Sequence, residues 1–297
     1  HPARHRPTRG PAGGMGVHVG GGAKMAADVY RMIRPSVKKY ENVSGGKSPL
    51  SRVQKYLSNA GFGSRRAMEA LLKEGRININ GKVAQLGDTV KDQDKIAIND
   101  GRYHRVKLRR AKSRVLAYNK PVGVVSSRAG NQRWSTIYEG LPKEIGFRWV
   151  SIGRLDVNTS GLILFTDNGD LASRLMHPSR KLDREYAVRV FGEMSQEKLQ
   201  KLKNGVLIDR EKLRFSDVVR GNGEGVNRWY TCVVQSGKNR EVRRIWESQG
   251  VKVSRLIRVR FGNVLLPVDL RPGSVVELGA GLVQELFILA GIEKVDG

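Results

Sequence analysis

From Val115 onward, apolar runs of strand length and of helix length follow one another in no fixed order, and this narrows the fold more than any other feature of the chain. "VLAYNK", "GLILFT", "YAVRVFG" and "WYTCVVQSG" are rich in the β-branched and aromatic residues that suit strands. "GDLASRLMH", "EKLQKLKNG" and "REVRRIWESQG" space their apolar residues three and four apart, as helices do. A regular strand–helix–strand succession builds a parallel sheet, whereas this order predicts an α+β fold. With domains of on the order of 100–200 residues, a chain of 297 has room for two, one of them small.

The small one comes first. "LSRVQKYLSNAGFG" sets Leu50, Val53 and Leu57 on one helical face and stops at glycine, and Ser64 then caps "SRRAMEALLKEG". "RININGKVAQLGDTVKDQDKIAIN" alternates apolar and polar residues around Asn80-Gly81, a pair that tolerates the positive φ angles of a tight hairpin. Upstream, "HPARHRPTRGPAGGMGVHVGGGAK" has no acid before Asp28 and is rich in Gly, Pro and Arg, a composition that predicts disorder. Its "GGMGVHVGGG" lacks the preceding strand that a phosphate-cradling loop needs, so it reads as flexible linker. Downstream, "GRYHRVKLRRAKSR" holds seven Lys or Arg and no acid, which reads as a basic linker. The expected boundaries are therefore an extension at 1–47, a helix–hairpin module at 48–107, a linker at 108–114, a larger domain at 115–290 and a tail at 291–297.

Charge points to the partner. Lys and Arg number 54 against 28 Asp and Glu, a net +26 with a pI near 10.6, which favours a polyanion through phosphate contacts and counterion release. Arg52 and Lys55 sit on the first helix of the small module. Arg65 and Arg66 open the second, where the positive end of the helix dipole adds to their own charge. A run of charges is more often a solvated face, but this clustering in so basic a chain favours nucleic acid. No apolar run approaches the ~20 residues a spanning helix needs, so no membrane partner is expected. Cys232, the only cysteine, excludes an intrachain disulfide and a thiolate zinc cluster, and its alternating setting reads as a small buried hydrophobe. The histidines at 1, 5, 18, 104 and 177 lack metal-ligand spacing, so no metal is expected.

"IGRLDVNTSGLILFTDNGD" places Asp156 in a loop at the start of an apolar strand, held rigidly yet within reach of a ligand. A carboxylate there can attack a carbon or take a proton. Loop aspartates more often form turns or caps, and Thr159, Ser160 and Gly161 are consistent with a turn. In "GKNREVRRIWESQG", read as helix, Arg240, Arg243 and Arg244 share a face while Val242, Ile245 and Trp246 turn to the core. An arginine beside a carboxylate keeps it ionised, as a nucleophile or base requires. The same face suits phosphate binding, and spacing alone does not choose between the two.

Residues 48–105 resemble the S4 RNA-binding domain, with its two helices followed by an "INGK" turn. "GRLDVNTSGLILFTDNGDLASRLMHPSR", "REYAVRVFG" and "GKNREVRRIWESQGVKVSRLIRVRFG" together resemble the RsuA/RluB family of ribosomal RNA pseudouridine synthases, most closely the type acting on large-subunit rRNA. The resemblance spans about Leu50 to Leu278. It implies a small S4-type domain followed by a catalytic domain with a mixed, largely antiparallel sheet. It also implies cofactor-free isomerisation of uridine, with Asp156 as the essential catalytic residue, Tyr186 stacking on the flipped base and Arg243 as the partner of Asp156. Arg154, Arg240, Leu256 and Arg258 are implied to bind substrate, and Arg184 stands where the wider family often has lysine. The implied partner is a structured stem-loop of large-subunit rRNA, met by a monomer in a bacterial cytoplasm, with plastid or mitochondrion as the alternative suggested by the acid-poor, transit-like beginning. Two rivals are a non-catalytic ribosome-assembly factor on the same fold and an S4-bearing methyltransferase, the latter needing a glycine-rich cofactor loop that the sequence lacks.

Overall fold

The computed structural model describes residues 51–59, 62–91, 94–99, 103–106, 113–130, 133–143, 148–221 and 226–292. The extension at 1–47, Leu50 and most of the basic linker lie outside them. In the small module, β1 (Ser51–Arg52) leads into α1 (Val53–Asn59), and α2 (Arg65–Lys73) follows. The first helix begins three residues later than its apolar spacing predicts. Ser51 and Arg52 instead pair antiparallel with β4 (Thr89–Val90), which satisfies their backbone groups in a sheet. Ser64 caps α2, its hydroxyl accepting the Ala67 N–H at 3.0 Å. Strands β2 (Ile77–Ile79) and β3 (Lys82–Val83) close on Asn80 and Gly81, both at positive φ as a tight hairpin demands. With β5 (Ile96–Asn99) and β6 (Tyr103–Val106) they form a four-stranded sheet in the order β3-β2-β5-β6. Val53, Leu57, Met68, Leu72, Ile77, Ile96 and Ile98 fill the space between helices and sheet.

The larger domain follows from β7 (Val115–Lys120), β8 (Val150–Ile152), β9 (Ser160–Thr166), α3 (Gly169–Met176), β10 (Arg184–Phe191) and α4 (Gln196–Asn204). Next come the hairpin β11 (Val206–Ile208) and β12 (Glu211–Leu213), then β13 (Asp217–Arg220), β14 (Asn227–Val234) and α5 (Glu241–Glu247). β15 (Lys252–Phe261), β16 (Val264–Leu265), β17 (Val275–Glu277) and α6 (Ala280–Leu289) complete it. Nine strands make one sheet along the path β13-β14-β10-β15-β9-β7-β17, with β16 beside β15 and β8 beside β9. Every pairing in it is antiparallel except β9 with β15, where Ser160 and Gly161 lie beside Ile257 and Arg258. The result is the expected α+β architecture with a mixed, largely antiparallel sheet.

That one parallel pairing sets the geometry of the centre. Gly161 has φ +103°, and a Cβ there would stand 2.3 Å from the Arg258 carbonyl oxygen, so only glycine lets the two strands come this close. One sheet face packs against α4 and α5 through Tyr186, Val188, Val190, Leu199, Leu202, Tyr230, Cys232, Val242, Ile245, Trp246 and Leu256. Cys232 is wholly buried there, and burial pushes its thiol up. Among the described residues no helix is long and apolar enough to cross a membrane.

Candidate active site

Asp156 lies in the loop of residues 153–159 that joins β8 to β9. Four consecutive carbonyls of this loop are held. That of Leu155 accepts the Ser126 hydroxyl at 2.7 Å, and that of Asp156 accepts the Thr159 N–H at 3.0 Å. Val157 accepts the Gly123 N–H at 2.8 Å and the Lys120 ammonium at 3.4 Å, and Asn158 accepts Arg243 Nη2 at 2.8 Å. The Ser126 hydroxyl also accepts the Leu155 N–H at 3.1 Å. A backbone so fully engaged holds the side chain it carries in one place. Turn-forming aspartates in this chain use their carboxylates on nearby backbone, as Asp88 does on Gln85 N–H and Asp94 on Lys91 N–H. The half-buried Asp156 carboxylate makes no hydrogen bond among the described residues, which separates it from them.

Two cations face that carboxylate. Arg243, on α5, is 6% exposed; burial lowers its pKa first and Arg240 lowers it further, while Glu247 and Asp156 act the other way. It reaches the Asn158 carbonyl rather than pairing directly with Asp156, so it anchors the loop that carries the carboxylate. The second cation is Lys120, at the end of β7 and fully buried. Its ammonium donates to the carbonyls of Pro121 at 2.9 Å and Val157 at 3.4 Å. Burial pulls its pKa down to about 8, against the opposing pull of the Asp156 charge. Sequence reasoning passed over this lysine, although it continues the every-other-residue series Leu116, Tyr118, Lys120, all buried.

The neighbouring strands bring up the other side. Tyr186 on β10 pairs in register with Arg258 on β15, which lies beside Gly161, so two strand spacings of ~4.8 Å separate Tyr186 from the strand that the Asp156 loop enters. Arg258 is 2% exposed and donates through Nε to the Leu162 carbonyl at 2.7 Å. Arg184, two residues before Tyr186, donates to the carbonyls of Leu182 and Gln235 at 3.1 and 3.0 Å. Both guanidiniums lie over the Phe261 ring, at 5.2 Å for Arg184 and 5.5 Å for Arg258. Burial lowers the Arg184 pKa, and the nearby Arg258 charge adds to that. Leu256 is buried in the core beside Val188. Three buried polar atoms around this centre lack a hydrogen-bond partner among the described residues: Thr159 Oγ1, Arg243 Nε and Arg258 Nη2.

Not every expected residue joins this group as foreseen. Arg240, Arg243 and Arg244 do not share one helical face, because α5 starts only at Glu241 and Arg240 precedes it in a left-handed conformation, exposed, with φ 47°. Arg244 is consumed by Glu211 at 3.0 Å and Asp209 at 3.2 Å. The core-facing prediction for Val242, Ile245 and Trp246 matches the structure. Arg154 is exposed two residues before Asp156. In the small module Arg52, Arg65 and Arg66 are exposed, but Lys55 forms an ion pair with Asp170 of α3 at 2.7 Å, so its charge is spent within the chain.

Residues 114–248 match the family described as RNA pseudouridylate synthase, and residues 51–96 match the S4 domain. The ribosomal large subunit pseudouridine synthase B of Vibrio cholerae is 49% identical over 228 residues, covering 76% of this chain and 71% of that protein. The chain belongs to the RNA pseudouridylate synthase family. Like-named proteins of Pseudomonas aeruginosa and Escherichia coli (strain K12) are each 47% identical, over 82% and 76% of this chain and 64% and 79% of their own lengths. A crystal structure of a pseudouridylate synthase superimposes with a TM-score of 0.55 at 23% identity, covering 79% of this chain and 99% of that one, a likeness of fold.

Proposed function

We propose that this pseudouridine synthase isomerises a uridine in a stem-loop of large-subunit ribosomal RNA, with Asp156 as the catalytic residue. The observation that carries the proposal is the Asp156 carboxylate itself: among the described residues it makes no hydrogen bond, on a loop held at four carbonyls, two of them by the cations Lys120 and Arg243. The names of the relatives support large-subunit rRNA as substrate, and their bacterial sources support a bacterial cytoplasm as the setting. The two family matches support the division into an S4-like unit at 48–107 and a catalytic unit at 115–290.

The reaction breaks the N1–C1′ bond, turns the uracil and forms a C5–C1′ bond, with the C5 proton leaving at the end and no net redox change. The base must leave its stack, at a cost of a few kcal/mol, for a pocket that offers an aromatic face. Tyr186 provides the ring. Only 8% of this residue is open without RNA, so binding has to part the side chains over it. Asp156 then either adds to C1′ or removes the 2′ proton to leave a glycal, and both routes need an ionised carboxylate beside positive charge. Lys120 and Arg243 supply that charge. Arg154 and Arg240, exposed at the rim, suit the flanking backbone, and Leu256 forms apolar wall.

Carbodiimide-based primer extension on rRNA treated with wild type or Asp156→Asn tests this. The wild type should give a pseudouridine stop that the variant loses, with a rate lower by at least the about 10²–10⁴-fold of a missing proton-transfer group. Undiminished modification by Asp156→Asn would remove Asp156 from the reaction.

A further inference from the structure

Beyond the Tyr186–Arg258 centre, a cavity of about 200 Å³ opens between the end of β14 and the strand β12, with Lys212, Arg214, Ser216, Gln235, Lys238 and Glu241 in its wall. Lys212 in β12 and Arg214 just beyond it are both exposed and both line the wall, with the buried Leu213 between them. Neither cation has an acidic partner among the described residues. Lys238, by contrast, pairs with Glu211 at 3.1 Å. The one carboxylate in the wall, Glu241, is buried and already accepts the Ser236 hydroxyl and the Lys238 N–H. The cavity is therefore a polar recess of net positive charge whose acidic group is spoken for.

Its position relates it to the candidate site. The Gln235 carbonyl accepts from Arg184, Gly237 lies against the same guanidinium, and Arg184 in turn sits beside Arg258 and Tyr186. Arg184 thus touches the wall of the recess and lies two residues along β10 from Tyr186. From Gln235 the chain runs directly through Lys238 to Arg240 and Arg243, so the loop walling the recess also delivers the cation that anchors the Asp156 loop.

We infer that this recess binds a backbone phosphate of the RNA strand next to the flipped nucleotide, gripped by Lys212 and Arg214. The inference rests on the assignment of the RNA site above and adds to it a second anchor point. A strand whose base is turned into the Tyr186 pocket must carry its neighbouring phosphates past one side of it, and this side offers two uncompensated cations. Fixing a flanking phosphate there resists the return of the base to its stack and sets the direction in which the strand enters.

The test is equilibrium binding of the full chain to a labelled stem-loop of large-subunit rRNA over a range of salt concentrations. Charge reversal in Lys212→Glu/Arg214→Glu should weaken binding by about tenfold or more and flatten the salt dependence by roughly 0.7 in slope for each phosphate no longer neutralised. The milder Lys212→Gln/Arg214→Gln should move both in the same direction, showing that missing attraction rather than new repulsion is responsible. In a set of RNAs each carrying one neutral methylphosphonate linkage, a linkage flanking the target should weaken the wild type and leave the doubly neutralised variant unmoved. Unchanged affinity and slope, or a linkage cost equal in both proteins at every position, overturns the inference. Since the readout is binding, a chain that binds through the recess yet forms no pseudouridine counts against the isomerisation and not against the recess.

Discussion

Lys120 shows what one buried charge does to its surroundings. In the folded chain it gives up its proton near pH 8, whereas an ordinary lysine does so at 10.5. Between those values the unfolded chain binds more protons than the native one, so stability rises with pH across this window. Activity should run the opposite way, because the proton being lost is the positive charge beside Asp156. A pH profile of kcat/KM should therefore fall through about pH 8 in the wild type. In Lys120→Met that limb should be missing, with activity at neutral pH already lower by about threefold to tenfold, the worth of a charge pair of ~1 kcal/mol. A wild-type limb that persists in Lys120→Met assigns the titration to another group. Melting curves of both proteins over the same pH range supply the companion measurement, since only the wild type should gain stability.

At the scale of elements, Gly161 carries the sharpest expectation. Alanine there would be strained by its positive φ and would press its Cβ against the Arg258 backbone, so β9 and β15 must separate. Strain and overpacking of this kind cost about 3 kcal/mol or more together. Gly161→Ala should lower the melting temperature, and pseudouridine formation should fall further than the loss of folded protein explains, because the Asp156 loop leads directly into this close approach. Full activity in the folded fraction would show that the close approach serves stability alone. Local signals of this type vary in legibility. The Ser64 cap and the Asn80-Gly81 turn were readable because each depends on a few adjacent residues. The start of α5 was not, since helical spacing groups Arg240 with Arg243 and Arg244 while the left-handed turn at Arg240 and the Asp209 and Glu211 carboxylates divide them.

For the whole molecule, net charge and its distribution govern the encounter with RNA. The +26 balance attracts any polyanion, so specificity has to come from where the cations stand. On the small module Arg65 and Arg66 stand exposed at the start of α2, while Lys55 is turned inward against Asp170. Burial acts to raise the Asp170 carboxyl, but Lys55 and Arg174 outweigh it and hold it below the usual range. Charge reversal of Arg65 and Arg66 should weaken rRNA binding and reduce its salt slope by about 0.9 for each duplex phosphate that the arginines cease to neutralise. Lys55→Ala should leave that slope nearly unchanged, because an ion pair this accessible is worth only ~0–1 kcal/mol and its charge is already matched. Filter binding at several salt concentrations separates the two; equal slopes for all three proteins would place the RNA elsewhere.

Read alone, the sequence determined the features that depend on neighbours along the chain: the helix–hairpin module, the order of strands and helices, the basic character, and the motifs that mark Asp156, Tyr186 and Arg243. Tertiary structure alone decided which of these groups act together. Lys120 comes from one end of the domain, Ser126 from the loop after it and Arg243 from a helix more than a hundred residues later, and they meet only because β7 and β15 flank β9 in one sheet. The reason is physical: a side chain's charge state and freedom depend on what surrounds it in space, and pairing between distant strands sets those surroundings while local spacing does not.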